Sequence, residues 1–149
     1  MFRAVIRLFT YGFCLLASFA WAEQTPSWRL VINDNLLPEY TLYLAFYPAE
    51  AGNWAVEPVL RLKQTLPDYK AFARPISLPA GRYAVRGFID VDANGELTLN
   101  EQGRPAEPYT NSQAEGQRPS PLFERSIITL NDEQPQLQLQ LRYPPGSRP

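Results

Sequence analysis

Residues 90–101 read Asp90-Val91-Asp92-Ala93-Asn94-Gly95-Glu96-Leu97-Thr98-Leu99-Asn100-Glu101, with an oxygen-bearing side chain at every second position and a glycine at the sixth. The segment meets the twelve-residue pattern D-x-[DN]-x-[DN]-G-x5-E at each specified position. Calcium takes six to eight oxygen ligands, and a short segment supplies them only if its carboxylates and amides converge. On that reading Asp90, Asp92 and Asn94 offer side-chain oxygens, and Glu96 turns its carbonyl inward. Thr98 gives its hydroxyl or holds a water, and Glu101 closes the site through both carboxylate oxygens. Gly95 permits the sharp reversal that wraps the first three ligands around the ion. The flanks are not those of an EF-hand, which needs a helix on each side, because residues 83–89 read as a strand. In a β setting Leu97 starts a return strand and Glu101 swings away, so that a different acid closes the site, with Glu107 a candidate. Asn94-Gly95 is equally a strong hairpin-turn signal, and on that reading the acids only solvate a loop tip.

Other residues could do chemistry. Five acids fall between Asp90 and Glu107, and a facing carboxylate pair hydrolyses glycosides without a histidine. A carboxylate-dependent hydrolase is therefore a third reading, although acidic clusters more commonly hold ions or solvate loops. Tyr40, Tyr43, Tyr47 and Trp54 could form an aromatic platform for a sugar or peptide, against the plainer reading that aromatics at period two face a core. The proline-rich segment with Tyr109 reads as a binding flap or as a surface loop.

The elements that must position these residues follow a period of two rather than 3.6. Trp28, Leu30 and Ile32 alternate with Arg29, Val31 and Asn33, and Leu42, Leu44 and Phe46 with Tyr43, Ala45 and Tyr47. Leu137, Leu139 and Leu141 alternate with Gln136, Gln138 and Gln140, the pattern of a strand with one face buried and one in water. Further strands are expected over 59–66, 71–78, 82–90 and 126–130. Pro58 breaks a helical reading of 55–66, and 59–63 alternates. Turn signals separate the segments at Asn33-Asp34-Asn35, Pro67-Asp68, Pro79-Ala80-Gly81, Asn94-Gly95 and Asn131-Asp132. About seven short strands with fifteen prolines predict an all-β fold, a single antiparallel β-sandwich of Ig-like or transthyretin-like Greek-key type. Residues 103–122 form a long polar connection with Pro105, Pro108, Pro119 and Pro121, longer than most loops without function. Residues 144–149 read as a disordered tail.

The amino terminus bears on the chemistry. Arg3 and Arg7 precede an apolar run over 8–19, and Ala20-Trp21-Ala22 gives the small-residue exit that signal peptidase reads. Residues 1–22 are thus expected to be a signal peptide, too short in its apolar part to span a bilayer, which needs about 20 residues. Cys14, preceded by Phe13, does not fit a lipid-attachment site. Cleavage leaves 127 of 149 residues (149 − 22), one sandwich domain over 23–143 with its tail. Met1 and Cys14 are the only sulfur residues, and the chain has no histidine. The mature domain therefore has no thiolate, thioether or imidazole, which excludes disulfides and the usual ligands of zinc, copper, haem and iron–sulfur centres. It equally lacks the base of Ser-His and Cys-His catalysis. With 12 basic residues left against 15 acidic ones after loss of Arg3 and Arg7, and no basic run, nucleic acid is not an expected partner.

A resemblance joins these residues. Leu78-Pro79-Ala80-Gly81-Arg82-Tyr83-Ala84-Val85, Phe88-Ile89-Asp90 and Asn94-Gly95-Glu96-Leu97 stand in that order, followed by Asn100, Gly103, Pro105, Glu107 and Tyr109. They resemble bacterial exported proteins of the domain of unknown function 2141 family (DUF2141), whose core runs L-P-x-G-x-Y-A, D-x-N-x-N-G-K-L-D and G-x-P-x-E-x-Y. Pro121-Leu122-Phe123-Glu124 is similar to the family's P-x-F-E-D segment. The likeness is dense over 78–124 and loose over 28–47 and 136–143. It implies a secreted or periplasmic β-sandwich and no particular activity. Thr98 stands where the family usually has Asp, which weakens closure at that position, and 108–112 lacks the glycines of the family's G-Y-G-F-S. The combined expectation is a non-enzymatic exported envelope module with a calcium-binding loop. The alternative is a sandwich that binds a carbohydrate or an envelope protein. No transmembrane segment is expected after signal cleavage.

Overall fold

The computed structural model describes residues 26–112 and 121–147. The leader expected over 1–22, residues 113–120 of the long connection and the last two residues of the expected tail lie outside the described residues. Eight strands form: β1 (Ser27–Asn33), β2 (Thr41–Pro48), β3 (Leu60–Thr65), β4 (Ala71–Ser77), β5 (Gly81–Asp90), β6 (Tyr109–Asn111), β7 (Ile127–Leu130) and β8 (Gln136–Gln140). They make two sheets, one in the order β4-β1-β8 and one in the order β3-β2-β5-β6, with β7 also paired to β5. The protein is an all-β sandwich, with eight strands where about seven are expected.

Alternation places the core. Trp28, Leu30 and Ile32 of β1 and Leu137 and Leu139 of β8 face Leu42, Leu44 and Phe46 of β2 and Val85 and Ile89 of β5, all buried. Each such side chain removed from water contributes about 1.5–3 kcal/mol. The indole nitrogen of Trp28 donates to the Leu78 carbonyl at 2.8 Å, so the largest ring in the core leaves no polar atom unsatisfied. Buried Asn35 ties the β1–β2 crossover to the loop after β3 by donating to the carbonyls of Pro67 and Tyr69 at 2.8 and 3.0 Å.

One pairing departs from the antiparallel expectation. β1 runs parallel to β8, with Leu30 opposite Leu137 and Ile32 opposite Leu139. A parallel pair needs a long crossover, and here nearly the whole domain lies between the two strands. The other difference is β6, three residues inside the connection expected to be a loop.

β5 has ten residues, and two short strands share one of its edges. β7 pairs with residues 81–84 and β6 with residues 86–88, which leaves Val85 between them. Ser112 fills that gap. Its amide donates to the Val85 carbonyl at 2.9 Å, and its hydroxyl accepts from the buried Val85 amide at 2.8 Å and donates to the Ser126 carbonyl. Two residues further along, a Cβ on Gly87 would lie 2.3 Å from the Tyr43 carbonyl oxygen and 2.4 Å from Leu44 Cδ2. Only glycine lets β5 approach β2 this closely.

Ser112→Ala leaves the Val85 amide buried without its acceptor and is expected to lower unfolding free energy by about 1–3 kcal/mol in urea denaturation. Gly87→Ala must push backbone, not a flexible side-chain end, and is expected to cost about 1–3 kcal/mol or more. Melting curves unchanged from those of the parent chain would refute either expectation.

Candidate functional site

The acidic segment begins where β5 ends. Asp90 is 7% exposed and Glu107 is 4% exposed, whereas Asp92 is in water. Ala93 and Gly95 take positive φ values of 62° and 80°. These left-handed residues, a strained conformation for alanine, curl the chain so that its amides point back at Asp90. Asn94 N donates to Asp90 Oδ1 at 3.1 Å and Gly95 N to Oδ2 at 3.0 Å. Asp92 accepts from Asn94 N and from the Thr98 hydroxyl at 3.1 and 2.8 Å.

Glu107 closes the arrangement. Its Oε1 accepts from Val91 N at 2.6 Å and its Oε2 from Thr98 N at 2.9 Å, so one carboxylate fastens both arms of the loop. Asp90, Asp92 and Glu107 each present an oxygen within 4.8 Å of the others. Among the described residues no lysine or arginine nitrogen stands within ion-pairing distance of the three.

Of the residues expected to hold an ion, the structure brings together Asp90, Asp92, Asn94 and Thr98. Glu96 contributes its amide to Asn94 Oδ1 at 2.7 Å, and its side chain is exposed. Glu101 stands apart. Residues 98–106 form a small arm, with Ala106 N bonded to Thr98 O and Asn100 N to Arg104 O, closed by a turn in which Gly103 has φ 69°. That turn leaves Glu101 at its exposed tip and carries Glu107 back to Asp90. The expected return strand from Leu97 does not form, and Asn94-Gly95 is not a two-residue hairpin. Leu99 and Pro105 share a single bridge, and the strand that pairs with the end of β5 is β6.

A second feature lies on the outer face of the larger sheet. Register aligns Lys63, Tyr43, Phe88 and Tyr109 in one row across four strands, and Arg61, Ala45, Arg86 and Asn111 in the next. Ala45 is small, so a groove of about 560 Å³ opens above it. Tyr43 and Phe88 stack at 5.3 Å on one side, and Tyr47 meets Trp54 edge-on at 5.2 Å on the other. Arg86 lies over both the Tyr47 and Trp54 rings, 5.1 and 5.0 Å from their centroids, and donates to the Tyr47 hydroxyl at 3.0 Å. The Lys63 nitrogen sits 5.1 Å from the Tyr43 ring centre, and hydrogen bonding to the Tyr43 hydroxyl holds its ammonium above the usual lysine range. Of the four aromatics expected to form a platform, Tyr43 and Trp54 border the groove part-exposed, while Tyr47 is buried with Ala84 and Phe123, as the core reading has it. Tyr40 lines a separate depression beside Asp92 and Tyr143. The cations and Phe88 are the residues that sequence reasoning missed. Their signal was the alternation of Arg61 and Lys63 with Leu60 and Leu62, uninterpretable without the pairing register.

A β-sandwich with an acidic loop at the end of a central strand is the class these features define. Residues 41–138 match the model of a family described as an uncharacterized protein conserved in bacteria, DUF2141, and the chain belongs to that family. No curated protein and no solved structure matches the chain.

Glu107→Ala removes the acceptor of the Val91 and Thr98 amides and is expected to destabilise the domain by about 1–3 kcal/mol, with faster hydrogen exchange over 91–98. Glu101→Ala, at an exposed tip, is expected to stay within about 0.5 kcal/mol. Equal losses for the two would contradict the placement of Glu107 as the closing acid.

Proposed function

We propose that this chain is an exported module of the bacterial envelope, not an enzyme, whose acidic loop is held in shape by calcium. The observation that carries this reading is the convergence of Asp90, Asp92 and Glu107 without a neighbouring cation. Like charges so close repel one another, and a divalent cation removes that cost. Each carboxylate oxygen has two lone-pair directions, and Asp90 gives only one bond per oxygen to the loop. Their service to backbone amides favours a structural role over hydrolysis. Export is supported by the leader pattern over 1–22, and the absence of histidine and of sulfur beyond Met1 and Cys14 leaves only hard, oxygen-bound ions. Among the described residues no helix is long and apolar enough to cross a membrane. A second reading, a sandwich that binds a carbohydrate or protein partner on its sheet face, is favoured by the aromatic and basic groove.

Extracellular calcium modules bind at about 10⁻⁴ to 10⁻³ M. At tenfold excess the ion is expected to stabilise the fold by about 1.4 kcal/mol and to raise Tm by about 5 °C relative to a chelator. Thr98→Asp, which restores the acid usual in the family, is expected to enlarge that shift because ligand charge tunes affinity. Identical melts with calcium and chelator, and no calorimetric signal at millimolar calcium, would reject the ion. Export predicts an envelope-fraction product whose amino terminus is Glu23, and a cytoplasmic product that retains Met1 would reject it.

A further inference from the structure

The groove on the larger sheet carries an inference of its own. Its lining holds three cations, Arg61, Lys63 and Arg86, against one acid, Glu96, although the chain as a whole has a net charge of −1. Positive charge is thus concentrated on one face of an acidic protein. The cations do not stand alone, because each lies next to an aromatic ring or to the small floor residue Ala45.

The three cations differ in how they are held. Arg86 is fixed, since its guanidinium is stacked on two rings and bonded to the Tyr47 hydroxyl and, at 3.3 Å, to the Trp54 carbonyl. Trp54 is itself anchored by its indole N–H to the Pro121 carbonyl at 2.9 Å and packs edge-on against Phe123. Such a site is pre-organised and loses little freedom when a ligand arrives. Arg61 is looser. Its partner Glu57 is bonded at 2.7 Å, but the two side chains are 65% and 86% exposed, and an ion pair so open to water is worth little. A ligand carboxylate can displace Glu57 at small cost.

The geometry points to a binding site for an acidic oligosaccharide, its carboxylates on Arg61, Lys63 and Arg86 and its sugar rings against the part-exposed edges of Tyr43, Phe88 and Trp54. The faces of Tyr43, Tyr47 and Trp54 are taken by Lys63 and Arg86, so the sugar's apolar C–H groups meet ring edges and the aliphatic stems of those cations. Guanidinium groups match carboxylates through paired N–H donors. A volume of about 560 Å³ lies within the range of small-ligand sites. A neutral saccharide would leave three cations uncompensated, and an acidic peptide, flexible in every residue, would lose more freedom on binding than a stiff sugar chain. This inference rests on the second reading above, a ligand-binding sheet face, and supplies its chemical class.

The test uses the chain as processed by a bacterial host, in calcium-free buffer, titrated by calorimetry with trigalacturonate, with maltotriose and with a tetra-glutamate peptide. Tryptophan fluorescence runs in parallel, because Trp54 borders the groove. Expected are binding of trigalacturonate with a fluorescence change, loss of that binding at about 0.5 M salt, and no comparable binding of maltotriose. Arg61→Ala, at an exposed site that does not threaten folding, is expected to weaken trigalacturonate about tenfold. Arg86→Lys keeps the charge but loses the fork and is expected to weaken it by a similar factor. The proposal falls if trigalacturonate fails to bind, or if Arg61→Ala and Arg86→Lys bind it as the parent does. It also falls if maltotriose or the peptide binds as well or better, although the sheet face would then still be a ligand site. If none of the three binds, that broader reading falls too. The calcium proposal is judged separately, by the melts made without sugar.

Discussion

β5 is the constraint on which the rest depends. At ten residues it is the longest strand, hydrogen-bonded to β2 along one edge and to β7 and β6 in turn along the other. Because side chains alternate, its inner face supplies Tyr83, Val85 and Ile89 to the core while its outer face carries Arg86 in water, Phe88 half-buried and Asp90 buried under its own loop. The groove and the start of the acidic loop therefore sit on one element, two residues apart. A one-residue slip of β5 would bury Arg86 and expel Val85. Gly87 protects that register, since its missing side chain lets β5 lie against the Tyr43 carbonyl.

The smaller sheet meets a different demand. β4 is an edge strand, and Arg74 points inward from it to donate to Gln64 of β3 at 2.6 Å. An inward charge on an edge discourages pairing with another chain, and here it links the two sheets without disulfides. The same economy appears at Trp28, Asn35 and Ser112, where single side chains satisfy backbone groups that would otherwise be orphaned at crossovers. Packing and such polar staples hold a described domain that has no cysteine.

Most of the fold could be read from the sequence because period-two alternation is a local property. Leu42-Leu44-Phe46 and Leu137-Leu139 announce their strands with no knowledge of their neighbours. β6 could not be read in that way. Tyr109-Thr110-Asn111 is too short to show alternation, and it becomes a strand only because β5 offers an open edge at residues 86–88. The parallel match of β1 with β8 is equally non-local. In the acidic loop the convergence of Asp90, Asp92 and Asn94 was legible from spacing, but which acid fastens the loop was decided by the Asn100–Gly103 turn, which throws Glu101 outward and returns Glu107. The groove was the least legible feature. Lys63, Tyr43, Phe88 and Tyr109 come from four strands, and only their register makes them neighbours.

The two surface features also share backbone. Gly95, Glu96 and Leu97 belong to the loop that curls around Asp90 and also border the groove beside Phe88 and Tyr109. Whatever fixes the amides of Asn94 and Gly95 on Asp90 fixes one wall of the groove as well. The charges oppose one another across this boundary, with carboxylates at the end of β5 and ammonium and guanidinium groups on the sheet face. A cation held by Asp90, Asp92 and Glu107 would neutralise carboxylates beside the sheet face and hold Gly95–Leu97 in place at the same time. By thermodynamic reciprocity, an anion seated on the sheet face would alter affinity for the cation by the same factor. Both effects point the same way, since neutralised carboxylates repel an anion on the sheet face less and a fixed Gly95–Leu97 wall leaves less to order, so the two proposed sites would reinforce one another.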